Sequence, residues 1–122
     1  MIEQFPLKSI NTILYCKKWQ ETVTFYRDIL KLPVLFSTDW FIEFQFTSTA
    51  RLSIADERRS RIKSSAGTGI TLTLQVDNAS AAWHYLHHCG VVLGPLQEHP
   101  WQATVFYFFD PEGYRLEIWS LP

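Results

Sequence analysis

Ile70-Thr71-Leu72-Thr73-Leu74-Gln75-Val76 alternates apolar and polar side chains without a break. A period of two sends Ile70, Leu72, Leu74 and Val76 to one side and Thr71, Thr73 and Gln75 to the other, the pattern of a strand with one buried face. Asp77 or Asn78 follows as a helix N-cap. A helix is expected over Ala79–Cys89, with Ala82, Leu86 and Cys89 on one face, and Gly90 stops it. Three further strands are predicted over Val91–Gln97, Thr104–Phe109 and Tyr114–Trp119, the last two joined by the turn Asp110-Pro111-Glu112-Gly113.

The same order stands upstream. Ser9–Cys16 is rich in β-formers and reads as a strand. Gln20–Leu30 reads as a helix whose buried stripe is Val23, Tyr26, Ile29 and Leu30, ended by Pro33 because the residue before a proline avoids the α region. Strands follow at Val34–Ser37, Trp40–Thr47 and Arg51–Ala55; in the second, Trp40, Ile42, Phe44 and Phe46 alternate with Phe41, Glu43 and Gln45. Asn11 and Thr71 occupy matching strand positions, and Phe25 and Tyr85 follow at equal offsets, so the repeat is about 60 residues and only two copies fit. Asp56–Gly69, polar and glycine-bearing, is the connector. The expectation is an α+β fold of two βαβββ modules in tandem within one domain spanning 1–122: module one at about 8–56, connector about 57–69, module two about 70–120. One helix covers one face of each curled mixed sheet, and the two remaining faces would form a cup.

Composition narrows the function classes. With 122 residues, 47% hydrophobic and 19% charged, the chain can bury a proper core. A net charge of -1 supplies no field for nucleic acid or an anionic membrane. No apolar run approaches the roughly 20 residues of a membrane span, and the N-terminus lacks the basic-then-apolar block of a signal peptide. Cys16 and Cys89 lie in no CxxC pattern and read as free thiols of a reducing compartment, so the expected location is the cytoplasm. Five Trp exceed what packing needs in so small a domain and point to an aromatic-lined pocket or interface.

Phe25-Tyr26-Arg27-Asp28-Ile29-Leu30-Lys31-Leu32-Pro33-Val34 resembles the first-helix signature of the vicinal oxygen chelate family of glyoxalases, bleomycin-resistance proteins and extradiol dioxygenases. Phe109-Asp110-Pro111-Glu112-Gly113-Tyr114-Arg115-Leu116-Glu117-Ile118-Trp119 resembles its last hairpin, and Glu98-His99-Pro100-Trp101 resembles the approach to a strand in bleomycin-resistance-type members. The resemblance covers nearly the whole chain. Lys31 departs from it, standing where a glycine is usual and giving up a favoured left-handed helix stop.

The resemblance implies a divalent metal held by His, Glu or Gln from the first and last strands of each half. Those positions carry Asn11, Ser53, Thr71 and Glu117 here, and only Glu117 matches. One carboxylate with an amide and two hydroxyls is a poor set for zinc, nickel or iron. No cofactor is therefore expected, with a divalent metal on Glu117 and Asn11 as the alternative.

Glu117 shares strand parity with Arg115 and Trp119 and is the one candidate catalytic group, a ligand acceptor or general base if burial raises its pKa. The competing reading is a structural carboxylate satisfied by Asn11, Thr71 or water. Trp40, Trp101, Tyr107 and Trp119 are candidate stacking surfaces, while Phe44 fits the core better. His99 stands in the turn before Trp101 at an expected pocket lip. Arg115, Tyr15, Ser53, Thr71, Thr73 and Asn11 complete the candidate ligand-binding set. His84 and His88 are four apart on the second helix, but no acid or supporting shell is evident near them, and they read as part of a solvated face. Arg58, Arg59, Arg61 and Lys63 read as a solvated run partly neutralised by Asp56 and Glu57.

The expectation is a metal-free small-molecule binding protein of the bleomycin-resistance type, taking an aromatic or amphipathic organic ligand. A homodimer is expected from the resemblance. The alternatives are a metal-dependent lyase, isomerase or dioxygenase using Glu117, and a non-catalytic module that binds a protein.

Overall fold

The computed structural model describes residues 1–122. The chain divides into two compact units, Met1–Ser64 and Ser65–Pro122.

The first unit holds β1 (Ile10–Cys16), α1 (Trp19–Thr24), β2 (Val34–Ser37), β3 (Phe41–Thr47) and β4 (Ala50–Asp56), in a sheet of order β1-β4-β3-β2. β1 runs parallel to β4, and the remaining pairs are antiparallel, giving the mixed sheet of a βαβββ module. Alternation decides the faces. Leu14, Cys16, Ile42, Phe44, Leu52 and Ile54 are buried on the side that meets the helix, where Tyr26 packs its ring 6.4 Å from that of Phe44. Asn11, Ile13 and Tyr15 point the other way, opposite Arg51, Ser53 and Ala55.

The first helix departs from its predicted form. After Thr24 the chain widens into a π turn over Phe25–Ile29, closed by the Leu30 N–H donating to the Phe25 carbonyl at 3.0 Å. The extra residue rotates the stripe, so Thr22, Val23, Phe25 and Tyr26 are buried while Ile29 and Leu30 are half-buried. Lys31 then takes the left-handed conformation at φ 56, the geometry a glycine would adopt more cheaply.

The second unit holds β5 (Thr71–Gln75), α2 (Ala79–His88), β6 (Gln97–Glu98), β7 (Thr104–Phe109) and β8 (Arg115–Ser120), in the order β5-β8-β7-β6. It repeats the first: β5 pairs parallel with β8, and the rest are antiparallel. Asn78 is the N-cap, its side chain accepting from the Ala81 N–H at 2.9 Å. Gly90 follows the helix at φ 85. Leu86 and Ala79 are the buried residues of α2, over a sheet face of Phe106, Phe108, Leu116 and Ile118. Of Ala82, Leu86 and Cys89, expected on one face, Leu86 is buried, Ala82 half-buried and Cys89, which follows the last helical residue, exposed. The strand expected over Val91–Gln97 shrinks to Gln97–Glu98. Gly94 and Pro95 explain this: Pro95 offers no N–H to a ladder, and Gly94 bonds singly to the Tyr107 carbonyl at 2.9 Å.

Candidate functional site

β8 carries the site. Leu116 and Ile118 turn into the core, so Arg115, Glu117 and Trp119 turn away from the helix. The register sets Glu117 directly between Thr73 on β5 and Tyr107 on β7. Directly opposed side chains lie within hydrogen-bonding reach, and both are used here. The Thr73 hydroxyl donates to Glu117 Oε1 at 2.7 Å. The Tyr107 hydroxyl also bonds to Glu117, and that bond to a carboxylate is the main reason the phenol's pKa is raised; burial and the nearby negative charge add to it, while Arg115 opposes it. Arg115 lays its guanidinium over the Tyr107 ring, 4.1 Å from the centroid.

An aromatic group flanks this polar cluster. Trp119, two residues along from Glu117, meets Trp101 edge to face at 6.0 Å, and Trp101 is 60% exposed. His99 lies tilted against Trp101 at 5.6 Å. The turn that holds them is closed by the His99 N–H donating to the Ala103 carbonyl at 2.8 Å and the Gln102 N–H donating to the His99 carbonyl at 2.8 Å.

Thr73, Tyr107, Arg115, Glu117, Trp119, Trp101 and His99 thus come together in the second unit. Thr71 shares that face, exposed and opposite Arg115, but Thr73 rather than Thr71 is the partner of Glu117. In the first unit Asn11 and Ser53 form their own pair, the Ser53 hydroxyl donating to Asn11 Oδ1 at 2.9 Å. Tyr15 is half-buried on the same side of β1 as Asn11. Trp40 is placed differently: it precedes β3 and lines a cleft with Asp39, Asp56, Arg58 and Arg59, its ring 6.0 Å from the Arg59 guanidinium. Phe44 is core.

Glu43 was not among the sequence candidates. It stands opposite Ser53 and pairs with Arg51 at 3.0 Å. Its parity, opposite to Ile42 and Phe44, was the available signal; that it meets Arg51 depends on strand register.

The donors at the metal positions implied by the family do not fit a transition metal. Asn11 offers a neutral amide that is paired with Ser53, Ser53 and Thr71 offer neutral hydroxyls, and Glu117 is the one carboxylate of the set. No group of three or more His, Cys, Asp or Glu side chains is placed to hold a metal ion. A divalent ion of the zinc or iron type needs imidazole, thiolate or several carboxylates.

Solved structures share this architecture. A lactoylglutathione lyase from Agrobacterium tumefaciens matches with a TM-score of 0.76 at 17% identity, covering 96% of both chains. A glyoxalase/bleomycin resistance protein/dioxygenase from Nocardioides matches with a TM-score of 0.78 at 18% identity, over 98% of this chain and 86% of the other. TnmS3, an antibiotic binding protein from a Streptomyces species, matches with a TM-score of 0.75 at 15% identity over 100% of both chains. Among curated proteins none matches this sequence significantly. The sequence profile of the Glyoxalase/Bleomycin resistance protein/Dioxygenase superfamily matches residues 9–118, and with the paired βαβββ modules and the hairpin at Asp110–Gly113 this chain belongs to that superfamily.

Proposed function

We propose that this protein binds a small aromatic or amphipathic organic molecule without a metal, on the face carrying Glu117 and Trp119. The observation that carries this reading is the Glu117 cluster beside the Trp119–Trp101 pair. A carboxylate has about four lone-pair sites, and two protein donors leave room for a ligand's N–H or O–H. The adjacent indoles supply apolar area and π faces. Polar groups fixed by neighbours next to an aromatic surface are the usual make-up of a small-molecule site. TnmS3, which shares this fold, is an antibiotic binding protein, in keeping with a binding role.

A homodimer and a cytoplasmic location belong to the same proposal. Val34, Leu35 and Phe36 are exposed on the edge strand β2, an apolar edge suited to association. Both cysteines are free thiols, which suits a reducing compartment. With a net charge of -1, the proposed partners exclude nucleic acid.

The test is tryptophan fluorescence of the untagged protein against a panel of planar aromatic amines and phenols, paired with elemental analysis after incubation with Zn²⁺, Ni²⁺, Mn²⁺ or Fe²⁺ and gel filtration. Saturable quenching that is weakened in Glu117→Gln and lost in Trp119→Ala is expected. Near-stoichiometric metal that disappears in Glu117→Ala would overturn the metal-free reading and favour lyase or dioxygenase chemistry.

A further inference from the structure

The second helix carries a feature that the Glu117 face does not use. α2 ends Trp83-His84-Tyr85-Leu86-His87-His88. Leu86 is buried and fixes the inner face, which leaves His84 and His88 exposed on the outer one. Side chains four apart on a helix lie one above the other, with Cβ atoms about 5–6 Å apart, close enough for two imidazoles to share one ion. His87 is held apart from this pair, stacked flat on Trp83 at 4.9 Å and 13°. His84 touches the Trp83 ring edge to face at 5.2 Å. Both residues are exposed to solvent, which leaves their imidazoles accessible to an ion.

The backbone beneath them is fixed in place. Asn78 caps the helix, and the Trp83 indole N–H donates to the Gly94 carbonyl at 2.9 Å. The helix contains no Asp, Glu, Lys or Arg, so no cation on it repels an incoming ion. Cys89, hydrogen-bonded to Tyr85, adds no third donor, in keeping with the lack of any group of three ligating side chains.

We propose that His84 and His88 form a two-imidazole site for an exchangeable divalent transition-metal ion, with water completing the coordination. Imidazole selects copper, nickel and zinc over magnesium and calcium, and affinity should follow Cu²⁺ above Ni²⁺ and Zn²⁺. Two ligands give a labile site. This proposal stands independently of the ligand-binding reading of the Glu117 face.

Metal-stripped, untagged full-length protein would be titrated with CuCl2, NiCl2 and MgCl2 by calorimetry, with tryptophan fluorescence followed in parallel. One Cu²⁺ per chain is expected, with partial quenching because Trp83 contacts His84, and no response to Mg²⁺. His84→Ala and His88→Ala should each weaken Cu²⁺ binding by at least the about tenfold that loss of an outer-shell partner costs, whereas His87→Ala and Glu117→Gln should leave it unchanged. Circular dichroism of each variant checks that α2 is intact. Absence of saturable Cu²⁺ binding, unchanged affinity in His84→Ala, or binding that depends on His87 or Glu117 instead would overturn the proposal.

Discussion

Asp110 and Tyr114 bond to each other in both directions: the Asp110 N–H donates to the Tyr114 carbonyl at 2.9 Å, and Asp110 Oδ1 accepts from the Tyr114 N–H at 2.9 Å. The same oxygen accepts from the N–H groups of Glu112 and Gly113, each at 3.0 Å, so one buried carboxylate organises the hairpin that aims β8. Asp110→Ala leaves the Glu112 and Tyr114 N–H groups short of a partner, while the Gly113 N–H keeps the Asp110 backbone carbonyl at 3.0 Å, and it should cost about 1–3 kcal/mol in urea unfolding. Asp110→Asn keeps an accepting oxygen and should cost less than the alanine variant. Equal losses in the two would show that the side chain acts by packing alone.

Gly67 and Gly69 both have positive φ, 85 and 78, yet they should respond differently to alanine. A Cβ on Gly67 would overlap the backbone carbonyl of Gly113, whereas one on Gly69 meets nothing within 4 Å. Gly69→Ala should therefore lose only the left-handed backbone cost of roughly 1–2 kcal/mol, and Gly67→Ala distinctly more. Thermal unfolding of the two variants checks the order.

Lys31 offers a gain in stability. It holds φ 56 at the end of the first helix without being glycine. Lys31→Gly relieves the Cβ clash of the left-handed region but adds freedom to the unfolded chain, so a net gain of up to about 1 kcal/mol is expected. A decrease in the urea midpoint would mean that the lysine side chain contributes more than its backbone costs.

The Tyr107 phenol reports on Glu117. Its pKa is raised chiefly because its hydroxyl bonds to the Glu117 carboxylate. Removing the negative charge in Glu117→Gln should bring the phenol's alkaline titration down toward the ordinary tyrosine range near about 10. Ultraviolet absorbance titration, compared with Tyr107→Phe to identify the signal, measures this. No change on substitution would break the assignment of the cluster.

Asp56 links stability to acid. Its carboxyl, 3% exposed as a residue, is held below the usual carboxylate range first by the side-chain hydrogen bonds from Arg58, at 2.7 Å for the closest, with the Arg58 backbone N–H adding to them. A depressed carboxyl stabilises the fold above its unfolded pKa of about 3.9, and the contribution fades as pH falls through the lower folded value. Asp56→Asn keeps an accepting oxygen for the Arg58 N–H but removes the charge paired with the Arg58 guanidinium, so it should flatten the fall in stability below about pH 4 and cost about 1 kcal/mol or less at neutral pH. Urea midpoints at several pH values compare the slopes.

The modules were legible because their signals are local. Period-two alternation at Thr71–Gln75 and Phe41–Thr47, the Asn78 cap, and the Asp110–Gly113 turn each depend on a few neighbouring residues. The same parity placed Arg115, Glu117 and Trp119 together on one face. Where the reading failed, longer-range geometry had intervened. The π turn at Phe25–Ile29 rotated the helical stripe, and the pairing of Gly94 with Tyr107 left most of Val91–Gln97 outside the sheet.

By itself, then, the sequence determined the βαβββ repeat, the faces of β3, β5 and β8 and the scarcity of metal ligands at the family positions. Only the tertiary structure decided that Thr73 and Tyr107 hold Glu117, that Asn11 turns to Ser53, and that Trp40 stands beside Asp56. Face is set by parity within one strand, whereas partnership is set by register between strands, which depends on how the sheet as a whole buries its apolar side.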